Sequence, residues 1–178
     1  PPDSLKHRRL QAAPRAKQVA AIRRTCRQMT ATGTALFGDF REFGREGAEI
    51  LNEAAADESV EAFVFGSDDP AVLDVADGFG ASGATDESFA ERRAAVRKRG
   101  KPFAIHAGEP DTSDIHPALD LDPDLLVHMV HAETDHLDRV DDQAVPVAVC
   151  PRADTVLSVG AVPLRELLDH TTVALGTD

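Results

Sequence analysis

Two of the seven histidines in this chain sit where chemistry can be done. His106 follows the apolar run Pro102–Ile105, and Glu109 comes three residues later, in the string His106-Ala107-Gly108-Glu109. His128 follows a second apolar run, Leu125–Val127. Further on, Val145–Val149 runs into Cys150-Pro151-Arg152, and Thr172–Leu175 runs into Gly176-Thr177-Asp178. Near the start, Ala35–Gly38 runs into Asp39, Arg41 and Glu42. Neutral imidazole and carboxylate are ligands for zinc or iron. A separate carboxyl group can move protons. A divalent cation lowers the pKa of bound water to about 7, so that hydroxide is available at neutral pH. Several strands each delivering His, Glu or Asp to one rim is what a metal-hydrolase site needs.

Each of these residues also has a plainer reading. A lone histidine after a strand is more often structural than a ligand, and Gly-Thr-Asp is commonly just a turn. His7, His116, His131 and His136 lack the strand-end setting and read as surface or loop residues. Cys150 reads as a buried thiol, and Glu133 and the acidic runs as solvated faces. The order of the motifs outweighs any one of them: His-x-x-Glu, then His, then Cys-Pro-Arg, then Gly-Thr-Asp, each after its own strand.

The elements that must position these residues are short apolar strands alternating with helices. Residues 1–13 read as loop. Val19, Ile22, Cys26 and Met29 recur at helical spacing and predict a helix over Pro14–Thr30, ended by Gly33. Strands are expected over Ala35–Phe40, Val60–Phe65, Pro102–Ala107, Leu125–Val130, Val145–Val149 and Thr172–Leu175, with a distorted one in the glycine-rich Gly78–Gly83. Helices are expected over Gly47–Ala56, Ala71–Ala76 (with Pro70 near its first position), Asp86–Arg99 (closed by Gly100), Thr134–Asp142 (capped by Thr134) and Pro163–His170. Continuous apolar runs suit strands buried on both faces of a parallel sheet, and the C-terminal edge of such a sheet is its active-site face. Roughly seven strand-helix units are readable. An eight-unit barrel usually needs about 250 residues, so the 178 present fall about one unit short. No inter-domain linker is visible, and the chain is expected to be a single domain, 1–178.

Composition narrows the partners. Acidic residues outnumber basic ones by 31 to 19, for a net charge of −12. Such a surface repels nucleic acid and anionic lipid. An acidic, alanine- and valine-rich chain with only four lysines and no Trp or Tyr suggests adaptation to high salt. The two cysteines make no disulfide framework and fit a reducing cytoplasm. No apolar run is long enough to span a membrane, and no signal peptide is visible after the opening Pro1-Pro2.

The ordered series resembles the amidohydrolase superfamily. His106–Glu109 looks like the fifth-strand motif of its adenosine and cytosine deaminase branch, and Leu126–His131 like the sixth-strand segment with its histidine at His128. Val147–Asp178 is similar to the stretch ending at the eighth-strand aspartate, and Gly33–Gly44 to the second strand and its rim. The resemblance covers nearly the whole chain and implies a (β/α)8 TIM barrel, here incomplete, with strands two to eight present. It implies His106 and Asp178 as ligands of one divalent metal ion, zinc first and iron second. Asp178 would also accept a proton from water, His128 would orient the attacking hydroxide, and Glu109 would shuttle a proton to a ring nitrogen and the leaving ammonia. Arg41, Glu42 and Arg152 are candidate substrate contacts at the rim. The implied reaction is deamination of a small nitrogenous ring compound; a homo-oligomer stays open.

One departure matters. The family places His-x-His at the end of its first strand, and no His-x-His exists in this chain. Of the usual ligands only His106 and Asp178 remain, so residues 1–178 alone are expected to bind metal poorly and be inactive. The absence of lysine from Gly78–Gly83 favours a mononuclear site over that of a binuclear cyclic amidase. Two other readings stay open: a non-catalytic barrel relative that binds a ligand or partner, and a different α/β protein whose strand-end histidines are coincidental.

Overall fold

A computed structural model describes residues 5–84 and 89–178. The chain divides into two compact units, Pro1–Asp77 and Gly78–Asp178.

The first unit holds α1 (Leu5–Ala12), α2 (Arg15–Ala31), β1 (Leu36–Arg41), α3 (Gly44–Ala55), β2 (Glu61–Gly66) and a 3-10 turn, Pro70–Asp74. Helix α1 corrects the loop expected at the start. Its residues, Leu, Lys, His, Arg, Gln and Ala, are mostly strong helix formers, and propensity makes a helix there without the apolar stripe that a periodicity search needs. Pro14 separates α1 from α2: its own φ is −56° with ψ at 140°, and it disfavours helix in the residue before it. Helices α2 and α3 pack through Val19, Ile22, Ile50 and Ala54. Strands β1 and β2 pair in parallel, from Leu36 opposite Glu61 to Arg41 opposite Gly66. The helix expected over Ala71–Ala76 is instead the 3-10 turn, opened by Pro70, with the Asp69 side chain accepting from the Ala71 N–H at 2.7 Å.

The second unit holds β3 (Gly78–Ala81), α4 (Phe89–Lys98), β4 (Phe103–Ala107), α5 (Ile115–Asp120), β5 (Leu125–His128), α6 (Thr134–Asp142), β6 (Val147–Val149), α7 (Pro151–Leu157), α8 (Leu164–His170) and β7 (Val173–Leu175). Its strands pair in parallel in chain order, β3 to β7. Phe79, Phe103, Ile105, Leu126, Val147 and Val149 are buried along them, and the rings of Phe79 and Phe103 stack at 6.0 Å. Burying each such side chain stabilises the fold by roughly 1.5–3 kcal/mol. Arg93 is buried because its guanidinium donates to the carbonyls of Leu121 and Asp122 and lies over the Phe103 ring.

Residues 85–88, where the α4 helix was expected to begin, lie outside the described residues. Helices α5 and α7 were not foreseen. Helix α6 has the expected bounds, but its cap is Glu133 rather than Thr134. Strand β5 stops at His128 instead of running to Val130, because His128 and Met129 both take left-handed backbone, with φ of 78° and 57°. At the far end, Ala174 and Leu175 of β7 are exposed. No described helix is long and apolar enough to cross a membrane.

Candidate metal centre

Register puts His106 and His128 one residue out of step on neighbouring strands, and the left-handed backbone at His128, with φ of 78°, lets the two rings come together. Strands β4 and β5 pair with His106 opposite Val127 and Ala107 opposite His128, and the two imidazoles lie 5.3 Å apart, centroid to centroid. Asp178 follows β7 by three residues. One ligand atom each from His106, His128 and Asp178 can be chosen so that all lie within 4.8 Å of one another, close enough to hold a metal ion. The His106 Nδ1 lies 2.9 Å from the Ala81 carbonyl oxygen. A carbonyl can only accept, so the proton sits on Nδ1 and the Nε2 lone pair is left for a metal. Burial pushes the His106 pKa down; the Ala81 hydrogen bond opposes this, and His128 reinforces it. A neutral imidazole is the form that binds a metal.

The turn after His106 is tightly built. Gly108 has φ of 67°, and its N–H donates to Asp114 Oδ1 at 2.8 Å. A Cβ there would stand 2.8 Å from Ile115 Cδ1 and 3.3 Å from Met129 Cα, so the chain can turn this way only at glycine. The turn delivers Glu109, one of whose oxygens lies 3.9 Å from His128 Nε2. Strand β7 approaches the same way: the Gly176 N–H donates to the Val149 carbonyl at 2.8 Å, and a Cβ on Gly176 would stand 2.8 Å from Cys150 Sγ. The Cys150 thiol is buried, as expected, and its pKa is pushed up to about 11, first by burial and then by Asp178 and Asp154.

The expected site residues thus fall into two sets. His106, Glu109, His128 and Asp178 converge within the second unit. Arg152 is exposed on α7. Arg41 and Glu42 belong to the first unit, where Arg41 is ion-paired to Asp39 at 2.7 Å. One polar residue of the site escaped the sequence reading: Asp154, in the first turn of α7, is buried against His128 with Oδ1 3.4 Å from Nδ1. Pro151 at the first helical position marks that helix in the sequence, but burial of the aspartate carries no local signal.

The remaining histidines need partial correction. His136 is buried, not a surface residue: its Nδ1 accepts from the Glu133 N–H at 3.0 Å in a capping box. His131 is half-buried and donates Nε2–H to the Val159 carbonyl. His116, Asp135 and His136 also come close enough to hold an ion. There, however, His116 Nδ1 accepts from Arg139 and His136 Nδ1 from backbone, which puts the ring protons on both Nε2 atoms. That leaves no free imidazole lone pair for a metal.

No family model matches the chain. It is 32% identical, over its whole length, to a protein of Methanothermobacter thermautotrophicus that bears an aminohydrolase name, and spans 54% of that relative. It is 33% identical over 110 residues, 52% of its length, to a 5-methylthioadenosine/S-adenosylhomocysteine deaminase of Haloquadratum walsbyi. The chain spans about half the length of the curated relatives it matches over its whole length. Among solved structures, a mutant of the atrazine chlorohydrolase of Arthrobacter aurescens, with zinc and atraton bound, superposes with a TM-score of 0.82 at 16% identity, covering 99% of this chain and 52% of that one. The N6-methyl-AMP deaminase of Arabidopsis thaliana gives 0.77 at 14% identity over 93% of this chain and 63% of that one. The fold is therefore the expected incomplete (β/α)8 barrel, with seven of its strands present. The relatives' aminohydrolase and deaminase names and the shared fold are consistent with a fragment of the amidohydrolase superfamily.

Proposed function

We propose that this protein, as one barrel domain, is a metal-dependent hydrolase that deaminates a small nitrogenous ring compound. The convergence of His106, His128 and Asp178 around a common point, with Glu109 beside His128, carries this reading. A divalent cation, zinc first and iron second, would be held by His106 and Asp178 and would supply hydroxide at neutral pH. Asp178 takes the proton from the attacking water. His128 holds the attacking oxygen toward the substrate. Glu109 gives its proton to a ring nitrogen, which makes the amine-bearing carbon electrophilic; of the water's two protons, one then passes through Glu109 to the departing ammonia and the other returns to Glu109. Arg41, Glu42 and Arg152 are the residues we assign to substrate contact.

The deaminase names among the relatives favour an aminated purine nucleoside as the first substrate to try, followed by aminated pyrimidines and triazines. Buried free thiols fit a reducing cytoplasm. The test is an ammonia-release panel across these three classes on the metal-loaded protein expressed from its whole reading frame. Release from one class supports the reading. Release from none, with cyclic amides cleaved instead, would move the protein to the amidase branch, and inactivity on every substrate would favour a non-catalytic relative.

A further inference from the structure

His128 and Asp154 are each 1% exposed, and the histidine Nδ1 faces the aspartate Oδ1 at 3.4 Å. Neither His128 Nδ1 nor either Asp154 oxygen has a hydrogen-bond partner among the described residues. Leaving a buried carboxyl and a buried ring nitrogen unsatisfied is costly for both groups. Each is the nearest remedy for the other. A small rotation of either side chain would turn the contact into an N–H···O bond.

We propose that Asp154 is the positioning residue of His128: it accepts the Nδ1 proton and so leaves the Nε2 lone pair facing Glu109 and His106. This rests on the deaminase reading for what His128 does, but not for which nitrogen holds the proton. The backbone supports it independently. His128 and Met129 both sit in left-handed conformation, a strained one for non-glycine residues that clusters at functional sites. That turn ends β5 and sets the ring between the β4 side of the site and α7. Asp154 is delivered from the other side, one helical turn after Cys150, where its N–H donates to the Cys150 carbonyl at 3.0 Å. The arrangement repeats for His128 what the Ala81 carbonyl does for His106: an acceptor behind Nδ1 fixes the tautomer and leaves Nε2 to the site.

Two measurements on the whole protein test this. Heteronuclear NMR of the ring nitrogens should find the His128 proton on Nδ1 in the wild type; a proton on Nε2 overturns the proposal, whether or not any substrate is turned over. Asp154→Leu, near-isosteric but without an acceptor, should lower kcat about 10–100-fold with KM little changed, and should also lower the melting temperature, because the buried His128 Nδ1–H loses its acceptor. Asp154→Asn keeps an acceptor oxygen and should restore most of kcat. An unchanged kcat in Asp154→Leu would overturn the assignment. Should Asp154→Leu not fold, the wild-type tautomer decides alone. A wild type that deaminates nothing defeats the deaminase reading and leaves the tautomer result standing.

Discussion

His106 Nδ1 points at the carbonyl oxygen of Ala81, 2.9 Å away on the neighbouring strand, and this one hydrogen bond decides which nitrogen of His106 is left for a metal. The bond predicts a metal ligand at Nε2. In the whole protein, His106→Ala should cut zinc affinity by more than the roughly 10–100-fold typical of losing a hydrogen-bond partner behind a ligand. Titration with zinc, followed by metal analysis after dialysis, checks it. Residues 1–178 by themselves should bind zinc weakly, since only His106 and Asp178 remain of the usual ligands and catalytic zinc takes roughly three from the protein. Tight stoichiometric binding with turnover by that segment would contradict this.

Glu109 stands 3.9 Å from His128 Nε2 and three residues past His106, and the proposed role for it is to move a proton without ligating the metal. Glu109→Gln should keep the zinc content and the melting temperature while lowering kcat on the best substrate by about 100- to 10,000-fold. Loss of zinc together with activity would instead make Glu109 a ligand.

Gly108→Ala should destabilise the protein, since φ of 67° is unfavourable for alanine and the new Cβ would press on Ile115 and Met129. The expected cost is about 1–3 kcal/mol or more, read as a melting temperature several degrees lower. An unchanged melting temperature would mean the turn can rearrange.

Both thiols are buried, and burial raises the pKa of each; Cys26 is pushed further up by Glu58. A thiol whose pKa is raised stays protonated and unreactive through neutral pH. Iodoacetamide at pH 8 should therefore label neither cysteine in the native protein and both in denaturant. Rapid native labelling of Cys150 would show that α7 opens readily.

The net charge of −12 predicts that salt stabilises the fold. Thermal melting should shift upward from low salt to molar potassium chloride; equal midpoints would sink the high-salt reading.

How much was legible follows from the range of the physics involved. Helix α6 and most strands, β1 and β4 among them, were readable because apolar runs and helical periodicity are local properties. Helix α1 was missed because it needs no apolar stripe, and α7 because seven residues after a proline give too short a pattern. The strand-end residues His106, Glu109, His128 and Asp178 could be singled out as candidates because parallel architecture places all strand ends on one rim. What only the tertiary structure decided are relations between residues far apart in the chain. The Ala81 carbonyl behind His106, Asp154 behind His128 and the capping role of buried His136 are set by register, backbone twist and helix placement. Sequence fixes which groups are present; the partner of a ring nitrogen depends on angles and burial that no local pattern encodes.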